Sequence, residues 1–372
     1  MKKTKDIGKE NMRLTLVLWV LLCGISMALM LMCSAKKTIV IADAAQDETQ
    51  TTVDEKFEKP IIQTREVVLQ SATDSEDRFY ISLPDDVKAE DVIMENRYWD
   101  SELRIRVKSG SADFYENCTI QGDISTIDSA VCEMKADGIL LRVKTGSLLE
   151  YRSTMEGKTL VLAFYRPEEL YDTIILLDPA WGGEETGLVG EAIPAEVGQA
   201  DGNLYEKDVT LQVARLVQKN LALESVKVYL TRAEDVTTTE EERLAFIKET
   251  GADLYIRLHA KSRDDAAHYG ISCGYNGQYF IPDFGNVQLA DMLTREVTIA
   301  TSNRAEGLSA VDESNILKQI EVPAAELCLG YFSNKTEREL LGQAVYQEKL
   351  AAGIINAIIK IQETMTKAGT EK

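Results

Sequence analysis

Histidine is almost absent from this sequence: His259 and His268 are the only two in 372 residues. Any chemistry that needs an imidazole, as metal ligand or as base, must therefore pass through one of two positions. Basic residues are also in deficit, 41 lysines and arginines against 61 acidic residues, for a formal net charge of −20. Such a chain repels nucleic acid and anionic lipid, which excludes both as partners for the bulk of it. No internal repeat is visible, so a solenoid is excluded too. Of the six cysteines, Cys118 and Cys132 have no metal-motif spacing; they could be bonded to each other or stay as thiols.

Long apolar runs are lacking with one exception. "LTLVLWVLLCGISMALMLMCSA", residues 14–35, carries no charge and at helical rise is long enough to cross a bilayer. Lys2, Lys3, Lys5, Lys9 and Arg13 precede it, which puts the tail 1–13 in the cytoplasm and the chain beyond residue 35 outside. The rival reading is a cleaved signal peptide with "ADA" at 42–44 as its site. The run is long for a signal core, and the site lies well past its end. The sequence thus predicts a single-pass protein of the cell membrane, anchored through 14–35, with its C-terminal domains extracytoplasmic.

What is present beyond the anchor divides by texture. Residues 36–59 include the polar, acidic stretch "AQDETQTTVDEKFEK" and read as a linker. From 60 to 167 the pattern has period two: "LRIRVK" at 103–108 alternates Leu103, Ile105 and Val107 with Arg104, Arg106 and Lys108. This predicts a small all-β sandwich. From 173 to 363 strands alternate with helices, the mark of an α/β fold with a mixed, mostly parallel sheet flanked by helices. "YEKDVTLQVARLVQKNLALE" has Val209, Val213, Leu216, Val217 and Leu221 at helical spacing, and "TTEEERLAFIKETG" is a helix with a threonine cap and a closing glycine. "CGYNGQYF" suggests a hairpin around Asn276-Gly277, and short strands are expected near 315–320 and 324–329.

One strand stops where a ligand would be expected. "IILLDPAWGGEETG", 174–187, is a continuous apolar run ended by Asp178-Pro179, with Gly182-Gly183 close behind. Ligands in open α/β sheets gather at the carboxyl ends of strands. The side chain offered there is Trp181, which neither ionises nor binds a metal.

"LLDPAWGG", "YEKDVTLQVA", "VYLTRAED", "EERLAFIKETGADLYIRLHA" and "VPAAELCLGYFSN", in this order, resemble the zinc-dependent N-acetylmuramoyl-L-alanine amidases. These cut the bond between the lactyl group of muramic acid and the stem peptide of peptidoglycan. The resemblance spans about 173–363. It implies zinc held by a histidine at the first strand-end turn, a glutamate opening the first helix and a histidine at a later strand end, with a second glutamate as base. In this chain those places hold Trp181, Glu206, His259 and Cys328. An indole offers no lone pair to zinc, and a thiol in an apolar strand is a poor base. Arg257 and Lys261 also depart from the family, and their charge would disfavour a divalent cation.

A rebuilt site is chemically conceivable. His268 could supply a ligand, and Glu326 shares Cys328's face of the strand at a displacement of about 7 Å. The implied function is therefore a wall-binding or regulatory module without cofactor, whose partner is peptidoglycan or a wall hydrolase. An active zinc amidase with rearranged ligands and a structural partner in a membrane-associated wall complex are the alternatives. Trp181 either fills the volume left by histidine and metal or offers a ring face to the substrate.

Overall fold

A computed structural model describes residues 63–71, 78–115, 119–122, 124–191, 202–221 and 223–370. The anchor assigned to 14–35, the linker and Cys118 lie outside them. Among the described residues no helix is long and apolar enough to cross a membrane.

Residues 63–165 form strands β1 (Gln63–Glu66), β2 (Val68–Ser71), β3 (Arg78–Ser82), β4 (Val92–Arg97), β5 (Glu102–Lys108) and β6 (Thr119–Gly122). After these come β7 (Ile127–Lys135), β8 (Gly138–Thr145), β9 (Glu150–Glu156) and β10 (Thr159–Tyr165). One sheet has the order β1-β7-β8-β5-β4, the other β2-β6-β3-β10-β9. Inward side chains of both, among them Phe79, Ile105, Leu141 and Leu162, make one hydrophobic core. The alternation in β5 sends Leu103, Ile105 and Val107 into that core. On its other face Glu102 accepts hydrogen bonds from Arg104 (2.6 Å) and Arg142 (2.7 Å).

The turn-sized helix α1 (Pro167–Leu170) leads to β11 (Thr173–Pro179), every residue of which is buried. A small ribbon, β12 (Val189–Glu191) with β13 (Asn203–Tyr205), precedes α2 (Glu206–Asn220). Then come β14 (Val226–Leu230), α3 (Glu240–Thr250), β15 (Leu254–Lys261), β16 (Ile271–Tyr275), α4 (Asn286–Thr301), β17 (Ala305–Ala310), β18 (Ala324–Tyr331), α5 (Lys335–Leu341) and α6 (Ala344–Thr370). The six-stranded sheet runs β14-β11-β15-β18-β16-β17. Its first four strands are parallel, and β16 turns antiparallel to β18. This is the mixed, mostly parallel sheet the alternating texture implies.

Helix α3 starts as its sequence dictates. Thr239 Oγ1 accepts from Glu242 N while Glu242 accepts from Thr239 N, and Gly251 closes the helix at φ 62°. One face of the sheet, with Ile175, Leu177, Ile256 and Leu327, packs against apolar stripes of α2, α4 and α6. The opposite face, with Ile174, Leu176, Tyr229 and Tyr255, packs against α3 and also against Tyr98 and Leu148 of the β region. Tyr98 accepts hydrogen bonds from Gln218 and Leu230, and Tyr229 donates to Glu150 at 2.5 Å.

Two local expectations fail. Asn276-Gly277 does not turn a hairpin: β16 ends at Tyr275 and pairs with β17 and β18, while Asn276 ties the departing loop to Leu317. The stretch near 315–320 is a single 3-10 turn, Ile316–Gln319, opened by an Asn315 cap.

Candidate functional site

The strand end at Asp178 is a junction of buried charge. Asp178 is fully buried; Thr231 donates to its Oδ1 (2.6 Å), Arg243 and Tyr255 bond to the same carboxylate, and Arg257 Nε lies 3.7 Å away. Read from sequence, Asp178 is only a strand stop. Its one signal is to be the single acid in an otherwise apolar strand, since a buried charge persists only when paired.

The turn after it is clamped from below. Arg232, buried, donates to the carbonyls of Pro179 (3.1 Å) and Ala180 (3.3 Å). Gly183 N donates to Asp235 (2.7 Å), and Lys207 bridges Gly183 O and Asp235. A Cβ at Gly182 would meet Val236 O at 2.1 Å, so the glycine is required by close approach. Trp181 itself has φ 67°, a left-handed conformation that costs an L residue on the order of 1–2 kcal/mol.

Glu206 opens α2 and is fully buried. Its Oε2 accepts from Leu188 N (2.8 Å) and its Oε1 from Ala260 N (2.8 Å). His259 Nδ1 rests against the same Oε1, in contact but out of line for an ordinary hydrogen bond. The indole of Trp181 lies 6.1 Å from the imidazole, centroid to centroid and tilted by 48°. A Cβ at Gly187 would meet Trp181 Cδ1 at 2.3 Å and Glu206 Oε2 at 2.7 Å, so that glycine lets indole and carboxylate close in. The indole Nε1 is buried and has no acceptor. These groups border a cleft of about 600 Å³, which Glu185, Leu188 and Lys261 also line. Three of the residues singled out from sequence, Trp181, Glu206 and His259, are thus brought together.

Cys328 stands beside them. It is paired in register with His259 across β15 and β18, is fully buried, and donates to Gly330 O at 3.4 Å. Burial pushes its thiol up to about 12, against the opposing pull of the Lys261 charge. At neutral pH it is protonated and accepts no proton. Lys261 Nζ donates to Ser272 Oγ (3.2 Å), and Ser272 is the antiparallel partner of Cys328.

The remaining candidates are held elsewhere. Glu326 accepts from Asn315 (3.2 Å) and lies 3.9 Å from Arg257, away from the cleft lining. Arg257 sits between Asp178 and Glu326, so its charge is committed to that network; of the two family departures only Lys261 charges the cleft. His268 lies against Glu306, with its ring edge-to-face on Tyr331 at 4.7 Å. It does not line the cleft. Among the described residues no group of three or more histidines, cysteines, aspartates or glutamates is arranged to hold a metal. Glu206 and His259 supply two adjoining donors, and the third place carries an indole N–H, which is a hydrogen-bond donor only. This set does not fit the three-ligand zinc that the resemblance implies.

The profile of the family described as N-acetylmuramoyl-L-alanine amidase matches residues 175–360. The chain is 28% identical over 201 residues to the germination-specific N-acetylmuramoyl-L-alanine amidase of Bacillus subtilis, covering 50% of this chain and 78% of the relative. It is 27% identical over 186 residues to a probable cell wall amidase, LytH, of Staphylococcus aureus, covering 50% and 56%. Among solved structures, the N-acetylmuramoyl-L-alanine amidase of Clostridium difficile 630 is similar at 22% identity and a TM-score of 0.45, over 51% of this chain and 97% of that one.

Proposed function

The chain belongs to the N-acetylmuramoyl-L-alanine amidase family, and from that premise we propose that it engages peptidoglycan at the membrane's outer face without cutting it. The observation that carries this reading is Trp181 beside His259 and Gly187, in the place the family gives to a ligating histidine. Hydrolysis by the family's chemistry needs a metal-bound water and a carboxylate to move its proton. Here two donors remain for the metal, and the proton acceptor is replaced by a buried, protonated thiol at Cys328. Such a set supplies neither the third metal donor nor the base that this hydrolysis requires.

The cleft has a firm frame of its own. Glu206 is fixed by two backbone N–H groups, the turn at 180–183 is clamped by Arg232, and Leu188 and Trp181 give the cleft an apolar wall. A wall-binding or regulatory role uses that shape and dispenses with the metal. The anchor at 14–35 would hold the module next to the wall it binds.

The test is metal and activity on one preparation. The full chain, purified in mild detergent, exposed to zinc and dialysed, should keep well under one equivalent and release no stem peptide from purified peptidoglycan, yet co-sediment with it. Equimolar zinc together with amide cleavage would replace this reading with an active amidase whose ligands are rearranged.

A further inference from the structure

The charged groups of the cleft are not equally committed. Glu206 faces inward, both oxygens taken by backbone N–H groups and one also in contact with His259. Lys261 is half-buried, and its Nζ has one protein partner, the neutral hydroxyl of Ser272 at 3.2 Å. No carboxylate among the described residues pairs with it. The Trp181 ring walls the same cleft, but its Nε1 is shut off from solvent and lies against Gly187. A half-buried ammonium held only by a neutral hydroxyl gains from an anionic acceptor, since a charge-assisted bond is roughly twice as strong as a neutral one. The strand register slips by one residue between His259 and Lys261, as a β-bulge does where a side chain is re-aimed.

We propose that this cleft is a carboxylate receptor, with the Lys261 ammonium as its donor and the Trp181 ring as its wall. The proposal rests on the reading that the ligand is peptidoglycan. Hydrolysis of the muramoyl–alanine amide adds water across the C–N bond, leaving a lactyl carboxylate on the glycan and an amine on the peptide. A cleft that prefers the carboxylate to the neutral amide recognises wall that has already been cut. The same chemistry is offered by the acids of a free stem peptide, and the experiment separates the two sources. Glu185, exposed at the cleft, repels either source equally and so does not decide between them.

Calorimetric titration of the full chain in detergent uses three probes: N-acetylmuramic acid, its methyl ester, and the dipeptide L-alanyl-D-glutamate. One of the two acids should bind at least tenfold tighter than the ester, and whichever binds identifies the source. Lys261→Met should weaken the acid by about tenfold to a hundredfold and leave the ester unchanged, as loss of one charge-assisted bond predicts. Trp181→Phe, which keeps a ring and removes the N–H, should leave it nearly unchanged. Equal binding of acid and ester, no binding of either acid, or an unaltered Lys261→Met overturns the proposal. Co-sedimentation with intact peptidoglycan is measured alongside. If that persists while the carboxylate preference is missing, only this inference falls; if it is lost, the function proposed above falls with it.

Discussion

His259 and Cys328 are direct neighbours on parallel strands, paired in register between β15 and β18. Paired residues on adjacent strands point to the same face, so the sheet holds the thiol beside the imidazole as firmly as it would hold a carboxylate. A carboxylate at position 328 would therefore stand beside the imidazole on this same backbone. Trp181 has a left-handed φ that histidine, enriched at such angles, adopts more readily.

Restoration is the first prediction. Trp181→His should recover zinc binding by adding a third donor beside Glu206 and His259. Cys328→Glu alone should not, for it places an acid beside no metal. The double variant should exceed the metal-only variant in stem-peptide release by up to about 10²–10⁴-fold, the usual worth of acid–base assistance. Recovery should be partial, because Lys261, whose charge is felt at position 328, will pair with the new carboxylate. Cleavage by the unaltered protein, abolished by Glu326→Gln, would overturn this account.

Gly187→Ala should be among the most damaging small substitutions near the cleft. The added methyl meets the indole and the Glu206 carboxylate inside van der Waals distance, at φ 66°. We expect a loss of about 1–3 kcal/mol in urea unfolding, the usual cost of overpacking. In a Trp181→Ala background the same change should cost less, and additive effects would refute the contact.

Acid should weaken the β region through Glu102. Burial raises its carboxyl, but the hydrogen bonds from Arg142 and Arg104 outweigh that and hold it below the usual glutamate range. A folded value below the unfolded one means the contribution is complete above about pH 4.3. It is lost as pH falls through the folded value. Urea midpoints of Glu102→Gln, measured from pH 6 to pH 3, should fall less steeply with acid than those of the parent. Parallel slopes would show that the pair contributes nothing to pH dependence.

A reporter fused after residue 60 should be found outside the cytoplasm, with the protein in the membrane fraction at full mass. Recovery of a soluble species beginning near residue 45 would make 14–35 a cleaved signal peptide.

Short-range patterns carry most of what is legible in the sequence. Period two marks β5, period 3.6 marks α2, and Thr239 with Gly251 bounds α3. Glu206 and His259 are legible because each sits at an element's end in a motif of recognisable order. What stays hidden depends on pairing across the chain. Asn276-Gly277 looks like a hairpin until β16 is seen to take β17 and β18 as partners, a choice made by residues much further along. Asp178 gives no sign of Arg243 and Tyr255, which come from a helix and a strand far along the chain. Glu326 and His268 are plausible substitutes by spacing alone; Asn315 and Glu306, which hold them, cannot be read from spacing.

The seam at Tyr98 bears on how this chain can be divided. Domains that part easily meet through a small, polar surface. Here Tyr98 and Leu148 share a dry cluster with Ile174, Leu176 and Tyr229, and Glu150 receives both the Tyr229 hydroxyl and the Lys227 ammonium, the latter at 2.9 Å. A fragment of this chain beginning at residue 173 would leave the sheet side of that cluster uncovered. Excising the C-terminal half of this chain as a soluble piece would therefore call for polar replacements on the face that carries Ile174, Leu176 and Tyr229.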